Sequence, residues 1–144
     1  MVRELRKLTM DDYDALVNLW GDTGLSYRPL GRDRKERIAL EMQREDTAFL
    51  GIFDGNRLVA SGLATYDGRK GWINRIAVHP DLRRRGLGKE MVAACERFLE
   101  SVGADIIAAL IEDWNEPSIE LFADCDYIHG SDVMYFSKRK TADT

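Results

Sequence analysis

The chain has 144 residues, 44% of them hydrophobic, which is enough to bury one sizeable core and short for two, so a single domain over residues 1–144 is expected. Its 25 acidic side chains outnumber 21 basic ones for a net charge of −4, which argues against any general electrostatic attraction to nucleic acid. Two cysteines make no disulfide framework, and neither a signal-peptide pattern nor an apolar run of membrane-spanning length occurs, so a cytoplasmic protein without membrane contact is expected.

Residues 2–8 read as a short strand. Thr9 then caps a helix that gathers Tyr13, Leu16, Val17 and Trp20 on one face and that Gly21 and Gly24 end. A polar loop over residues 26–32 leads into a charged helix over 33–45, whose thin apolar stripe of Ile38 and Met42 predicts a peripheral element. From Ala48 the pattern changes. The runs A-F-L-G-I-F, L-V-A-S-G-L-A-T-Y and W-I-N-R-I-A-V are separated by Asp54-Gly55-Asn56 and Asp67-Gly68-Arg69, which predicts an antiparallel meander that Pro80 stops.

Residues 87–102 form the strongest helical pattern, with Leu87, Met91, Val92, Cys95, Phe98, Leu99 and Val102 on one broad face and Gly103 beyond its end. The nearly continuous apolar run over 106–111 predicts a central strand covered on both faces. A short helix over 116–124, a last strand over 133–136 and a polar, frayed tail over 138–144 complete the chain. That order of elements predicts an α+β fold on a mixed sheet.

The stretch H-P-D-L-R-R-R-G-L-G-K-E, residues 79–90, concentrates positive charge between a strand and a strong helix. Free amide groups at a helix N-terminus favour an anion, glycine lets the backbone approach it, and Arg83, Arg84, Arg85 and Lys89 add charge-assisted donors at the rim. A solvated basic cap is the plainer alternative. Neither G-x-x-x-x-G-K-[ST] nor a three-glycine dinucleotide fingerprint is present. The histidines, His79 and His129, lie far apart without clustered partners, so no metal site is expected.

R-x-x-G-x-G, formed by Arg83, Gly86 and Gly88 after I-A-V-H-P, resembles the pyrophosphate motif of the GNAT superfamily of acyl-CoA-dependent N-acyltransferases. N-E-P-S-I-E-L-F-A-D-C-D-Y is similar to that family's second motif, with Asn115, Ser118, Leu121, Phe122 and Tyr127 at its key positions. The resemblance implies a GNAT-like, mostly antiparallel sheet with a splayed central strand pair, flanked by about four helices. It implies acetyl-CoA (coenzyme A) in the splay: the pyrophosphate on residues 83–89, Leu87 included, the pantetheine arm along Ile76 and Val78, and further contacts from Asn115, Ser118 and Phe122. The Val78 amide is implied as the oxyanion donor, and a homodimer is compatible with the family.

The implied reaction is direct transfer of an acetyl group to a primary amine of a small molecule or peptide. A lysine-like amine is neutral in on the order of one molecule in a few thousand at pH 7, so a base, a relay water or a pocket that lowers the amine pKa is needed. Three positions that carry proton-transfer groups in the family hold Trp72, Leu110 and Phe122 here. Catalysis therefore stands beside a non-catalytic acyl-CoA-binding or regulatory module as the alternative. Glu112 and Asp113 are the nearest acids in sequence. With period-two alternation Trp72 and Asn74 share a face with Ile76 and Val78, which makes them candidate acceptor contacts, with Tyr27 and Arg28 as weaker ones. Cys95 reads as a core thiol, Cys125 as a packed thiol near the reactive end and His79 as a surface turn residue.

Overall fold

The meander forms as expected because each strand carries its own alternation or apolar run and is closed by a tight turn. β2 (Thr47–Asp54), β3 (Arg57–Tyr66) and β4 (Gly71–Val78) pair antiparallel, and β1 (Arg3–Lys7) adds antiparallel to β2. β5 (Ile107–Ala109) joins β4 in parallel, so the five strands lie in the order β1-β2-β3-β4-β5. The computed structural model describes residues 3–25, 27–142 and 144; Val2 of the first predicted strand, Ser26 of the loop and Asp143 of the tail lie outside the described residues.

Two helices cover each face. α1 (Tyr13–Thr23) and α2 (Lys35–Met42) enclose one core with Leu16, Leu19, Trp20, Ile38, Phe49, Phe53 and Leu58. α3 (Leu87–Ser101) and α4 (Glu116–Asp124) enclose the other, with Leu87, Met91, Cys95, Leu99 and Phe122 against Ile52, Val59 and Ile73. Each large aliphatic side chain so buried contributes about 2 kcal/mol. Among the described residues no helix is long and apolar enough to cross a membrane.

Several expectations are corrected. Gly21 lies inside α1; Gly24, with φ +74°, ends it, because the left-handed cap geometry is open to glycine. Thr9 does form a capping box with Asp12, but a 3-10 turn (Met10–Asp12) precedes the α-helix. The second helix is shorter than the predicted 33–45, and its thin stripe anchors rather than floats, since Ile38 is only 1% exposed. β5 is a three-residue edge strand, not a central one covered on both faces: Ile106 and Leu110 are 54% and 55% exposed. Residues 133–136 form no strand, and Val133 to Phe136 are all exposed, because β5 presents only three residues of edge for a partner.

The predicted face shared by Trp72, Asn74, Ile76 and Val78 does not exist. Between the pairs Leu63↔Asn74 and Ser61↔Ala77, β4 carries one residue more than β3, and Arg75 sits at this bulge with φ +55°. An inserted residue reverses the alternation. Ile73, Ile76 and Val78 therefore all pack toward α3, and Trp72 and Asn74 are offset from them.

Candidate active site

The helix after the Arg/Gly stretch begins with an open turn. Gly86 precedes α3 with φ +80°, no side chain caps the helix, and the first turn's earliest bond is Glu90 N–H to the Gly86 carbonyl at 3.0 Å. The amides of Leu87, Gly88 and Lys89 therefore have no acceptor among the described residues. Arg83, Arg84, Arg85 and Lys89 are exposed and form no ion pair among the described residues, and Arg84 also takes a left-handed backbone, φ +66°. Convergent amides, the helix dipole and unpaired cations make a fitting cradle for a pyrophosphate. Gly88 has a second constraint: a Cβ there would stand 3.2 Å from both methyl groups of Leu121 in α4.

β4 and β5 pair only from Gly71↔Ile107 to Ile73↔Ala109, while β4 continues to Val78, so the two strands part beyond Ile73. The backbone beyond the split is turned outward. His79 N–H donates to the Val59 carbonyl at 2.8 Å and Ala60 stands opposite Val78, so Ala60–Val78 is a non-bonded pair of the antiparallel ladder and the Val78 amide faces away from β3. It points into the split, toward the side that β5 has left.

A cavity of about 540 Å³ opens in the same split, with Asn74, Arg75 and Ile76 of β4 on one wall and Ala109, Leu110 and Ile111 on another. Asn115, Ser118 and Phe122 of the second motif line it, as do Trp20, Arg32, Asp33 and Glu41 from the first two helices and the loop between them. Tyr135 and Arg139 reach it from the C-terminal segment. Asn115 caps α4: its Oδ1 accepts from the Ser118 amide at 3.3 Å, which fixes the start of the helix at the cavity wall.

Charge on this wall is organised by one buried ion pair. Asp33 Oδ2 accepts from Arg75 Nη2 at 2.9 Å and from the Arg28 amide at 2.7 Å, with the Arg75 and Asp33 side chains only 14% and 7% exposed. The Arg75 guanidinium lies 4.6 Å from the Trp20 ring centroid, a cation–π contact that replaces part of its lost hydration. Arg75 Nη1 and Arg28 Nε are buried without a partner among the described residues. Burial, followed by repulsion from Asp33, raises the Glu41 carboxyl above the ordinary glutamate value.

Of the sequence-predicted site residues, Asn74, Ile76, Asn115, Ser118 and Phe122 meet at this cavity, together with Leu110 and Glu112. Trp72, Tyr27, Arg28 and Asp113 are not among its lining residues. Trp72 Nε1 donates to Asp67 at 3.1 Å near the hairpin end, and Tyr27 packs its ring 5.9 Å from that of Trp20 while its hydroxyl meets Tyr13 at 3.2 Å. His79 is a local cap whose Nδ1 accepts from the Asp81 amide at 3.2 Å. Arg32, Asp33, Glu41, Arg75 and Arg139 were not anticipated; Arg75 at a strand bulge and Asp33 in a charged loop carry no local signal of their pairing.

Neither thiol is among the residues that line the cavity. Burial pushes Cys95 up to about 12, and burial followed by the Glu96 charge raises Cys125. Iodoacetamide at pH 7.5 is therefore expected to label at most one thiol in the native protein and both after denaturation, counted by intact mass. Rapid double labelling of the native fold would contradict this placement.

The open, mostly antiparallel sheet with one splayed parallel pair and four flanking helices is a GNAT-like α+β fold. Residues 4–127 match the Acetyltransferase (GNAT) family, and the chain belongs to that family. It is 27% identical over 124 residues to an acetyltransferase of Pectobacterium atrosepticum, covering 86% of each chain. Among solved structures it is similar to the PaiA N-acetyltransferase of Thermoplasma acidophilum in complex with coenzyme A, with a TM-score of 0.77 and 18% identity, covering 87% of this chain and 89% of that one. A TM-score of 0.77 at 16% identity also relates it to AAC(6')-Iy in complex with the bisubstrate analogue CoA-S-monomethyl-acetylneamine, over 96% of this chain and 99% of the other.

Proposed function

We propose that this chain is an N-acetyltransferase that passes an acetyl group from acetyl-CoA directly to a primary amine. Support comes chiefly from one junction: the unpaired amides opening α3 stand beside a strand that has parted from its neighbour, and a cavity occupies the gap. Acetyl-CoA, when bound, supplies an activated thioester. The amides of residues 87–89 with Arg83, Arg84 and Arg85 hold the pyrophosphate, and the outward backbone of Ile76 and Val78 satisfies pantetheine's amides as an added strand does. The Val78 N–H donates to the negative charge that develops on the acyl oxygen. Asn115, Ser118 and Phe122 shape the thioester end. Glu41 offers the acceptor side a carboxylate whose raised pKa is in the direction that a base for an ammonium requires.

The second reading, a non-catalytic acyl-CoA-binding module, is favoured by one observation. Phe122 stands where the family carries a proton donor for the departing thiolate, and its ring is packed edge-on against Tyr127 at 5.0 Å, only 6% exposed. A thiol of pKa about 8.5 departs as thiolate only about 2 kcal/mol uphill at pH 7, so the missing hydroxyl slows an enzyme rather than silencing it. Thiol release from acetyl-CoA with peptides, polyamines, amino acids and amino sugars tests the two. Phe122→Tyr is expected to raise kcat severalfold with unchanged acetyl-CoA affinity; no turnover by either form with any amine would favour the module.

A further inference from the structure

On the reading that this cavity receives the acceptor amine, we propose that the acceptor also carries a compact anionic group, a carboxylate or a phosphate, held by Arg32, Arg75 and Arg139. All three line the cavity. The carboxylate nearest to them is already engaged: Asp33 binds both Arg75 and the Arg28 amide through one oxygen. Loss of water weighs most against the Arg32 charge, repulsion from Arg75 comes next, and the attraction of Asp33 stands against further repulsion from Arg139 and Arg28. Arg139 donates from Nη1 to the backbone oxygen of Thr144, the last residue of the chain, at 2.7 Å, and has no Asp or Glu side chain as an ion-pair partner among the described residues.

Crowded guanidinium groups at the wall of one cavity are stabilised most by a planar or tetrahedral oxyanion that accepts several of their donors at once. The remaining acids suit the other end of such a molecule. Glu41 is half-buried on the helical wall and meets an ammonium, while Glu112 is exposed on the wall opposite. A polycationic acceptor would bring like charge against the arginines, so discrimination works by repulsion as well as attraction.

Titration calorimetry in the presence of coenzyme A tests this with matched pairs: α-amino acids against their carboxamides, amino-sugar phosphates against the bare amino sugars, and spermidine as a polycation. In at least one pair the anionic member is expected to bind about 30-fold more tightly, the range for hydrogen bonds to charged groups. Which pair responds decides between carboxylate and phosphate. The preference should fall to about threefold or less in Arg32→Gln/Arg139→Gln, both exposed positions, so that folding is preserved. Equal or undetectable binding of both members in every pair, or a preference that survives in the double variant, overturns the inference. An anionic preference without acetyl transfer to any amine would sink the acetyltransferase reading and leave the anion site standing. Transfer to spermidine without an anionic preference would do the reverse.

Discussion

Replacing Gly86 with valine is expected to weaken acetyl-CoA binding by about 30-fold, read by titration calorimetry, while the protein stays folded. Gly86 has φ +80°, and a Cβ built on it meets nothing within 4 Å, so the substitution does not disturb the interior. What changes is the backbone: a β-branched residue in the left-handed region costs about 1–3 kcal/mol, which it escapes by turning the following amides away from their common point. The branched side chain also stands where a phosphate would approach those amides. Gly88→Val has a different signature. Its Cβ would press on Leu121 at 3.2 Å, so α4 must shift and stability falls along with affinity. Unaltered affinity in Gly86→Val would remove the α3 N-terminus from the cofactor site.

Local chemistry made the open start of α3 legible in the sequence. The loop over residues 83–89 acts through its own backbone and immediate neighbours, so the residue types and spacing carry its geometry, whereas the part of Asn115 as the cap of α4 was not read from the sequence. The same holds for the strands of the meander with their Asp-Gly turns, and for α3, whose apolar face agrees with its burial. What stayed hidden depends on residues far apart in the chain. The Asp33–Arg75 pair joins positions 42 apart in sequence, and nothing in D-R-K-E-R distinguishes its buried acid from solvated neighbours. Period-two alternation failed at Arg75 because one extra residue changes the face of everything beyond it; the glycine at the irregularity, Gly62, lies on the facing strand, and none lies on β4 beside Arg75. The apolar runs at 106–111 and 133–136 misled for a related reason: hydrophobicity says that a segment prefers cover, and only the tertiary arrangement says whether cover exists.

The bulge also links the two halves of the site. The inserted residue brings Ile73 onto the same side as Ile76 and Val78, toward α3, while Arg75 faces Trp20 and Asp33 on the helical wall. One strand therefore serves the cavity with its side chain at position 75 and the split with its backbone at position 78. The Arg75 backbone strain, φ +55°, persists because the ion pair and the ring stacking hold the side chain in place.

Removing the buried carboxylate is therefore expected to have the largest effect on stability. Asp33→Ala should destabilise the protein by about 3–5 kcal/mol, the cost of leaving a buried charge without its partner, which is a large part of the 5–15 kcal/mol typical of a domain. The two side chains are only 14% and 7% exposed, so solvent screens a stranded Arg75 charge weakly. The Arg28 amide loses its acceptor in the same variant. Adding Arg75→Met removes the stranded cation and keeps most of its volume, so the double variant should recover to within about 2 kcal/mol of wild type. Urea unfolding at pH 7 measures both, with unchanged m values as the sign that the two-state comparison holds. A loss below about 1 kcal/mol for Asp33→Ala alone would mean that the pair does not organise this wall. Recovery in the double variant, accompanied by loss of anionic-acceptor binding, would separate the structural contribution of the pair from the part that Arg75 plays toward the ligand.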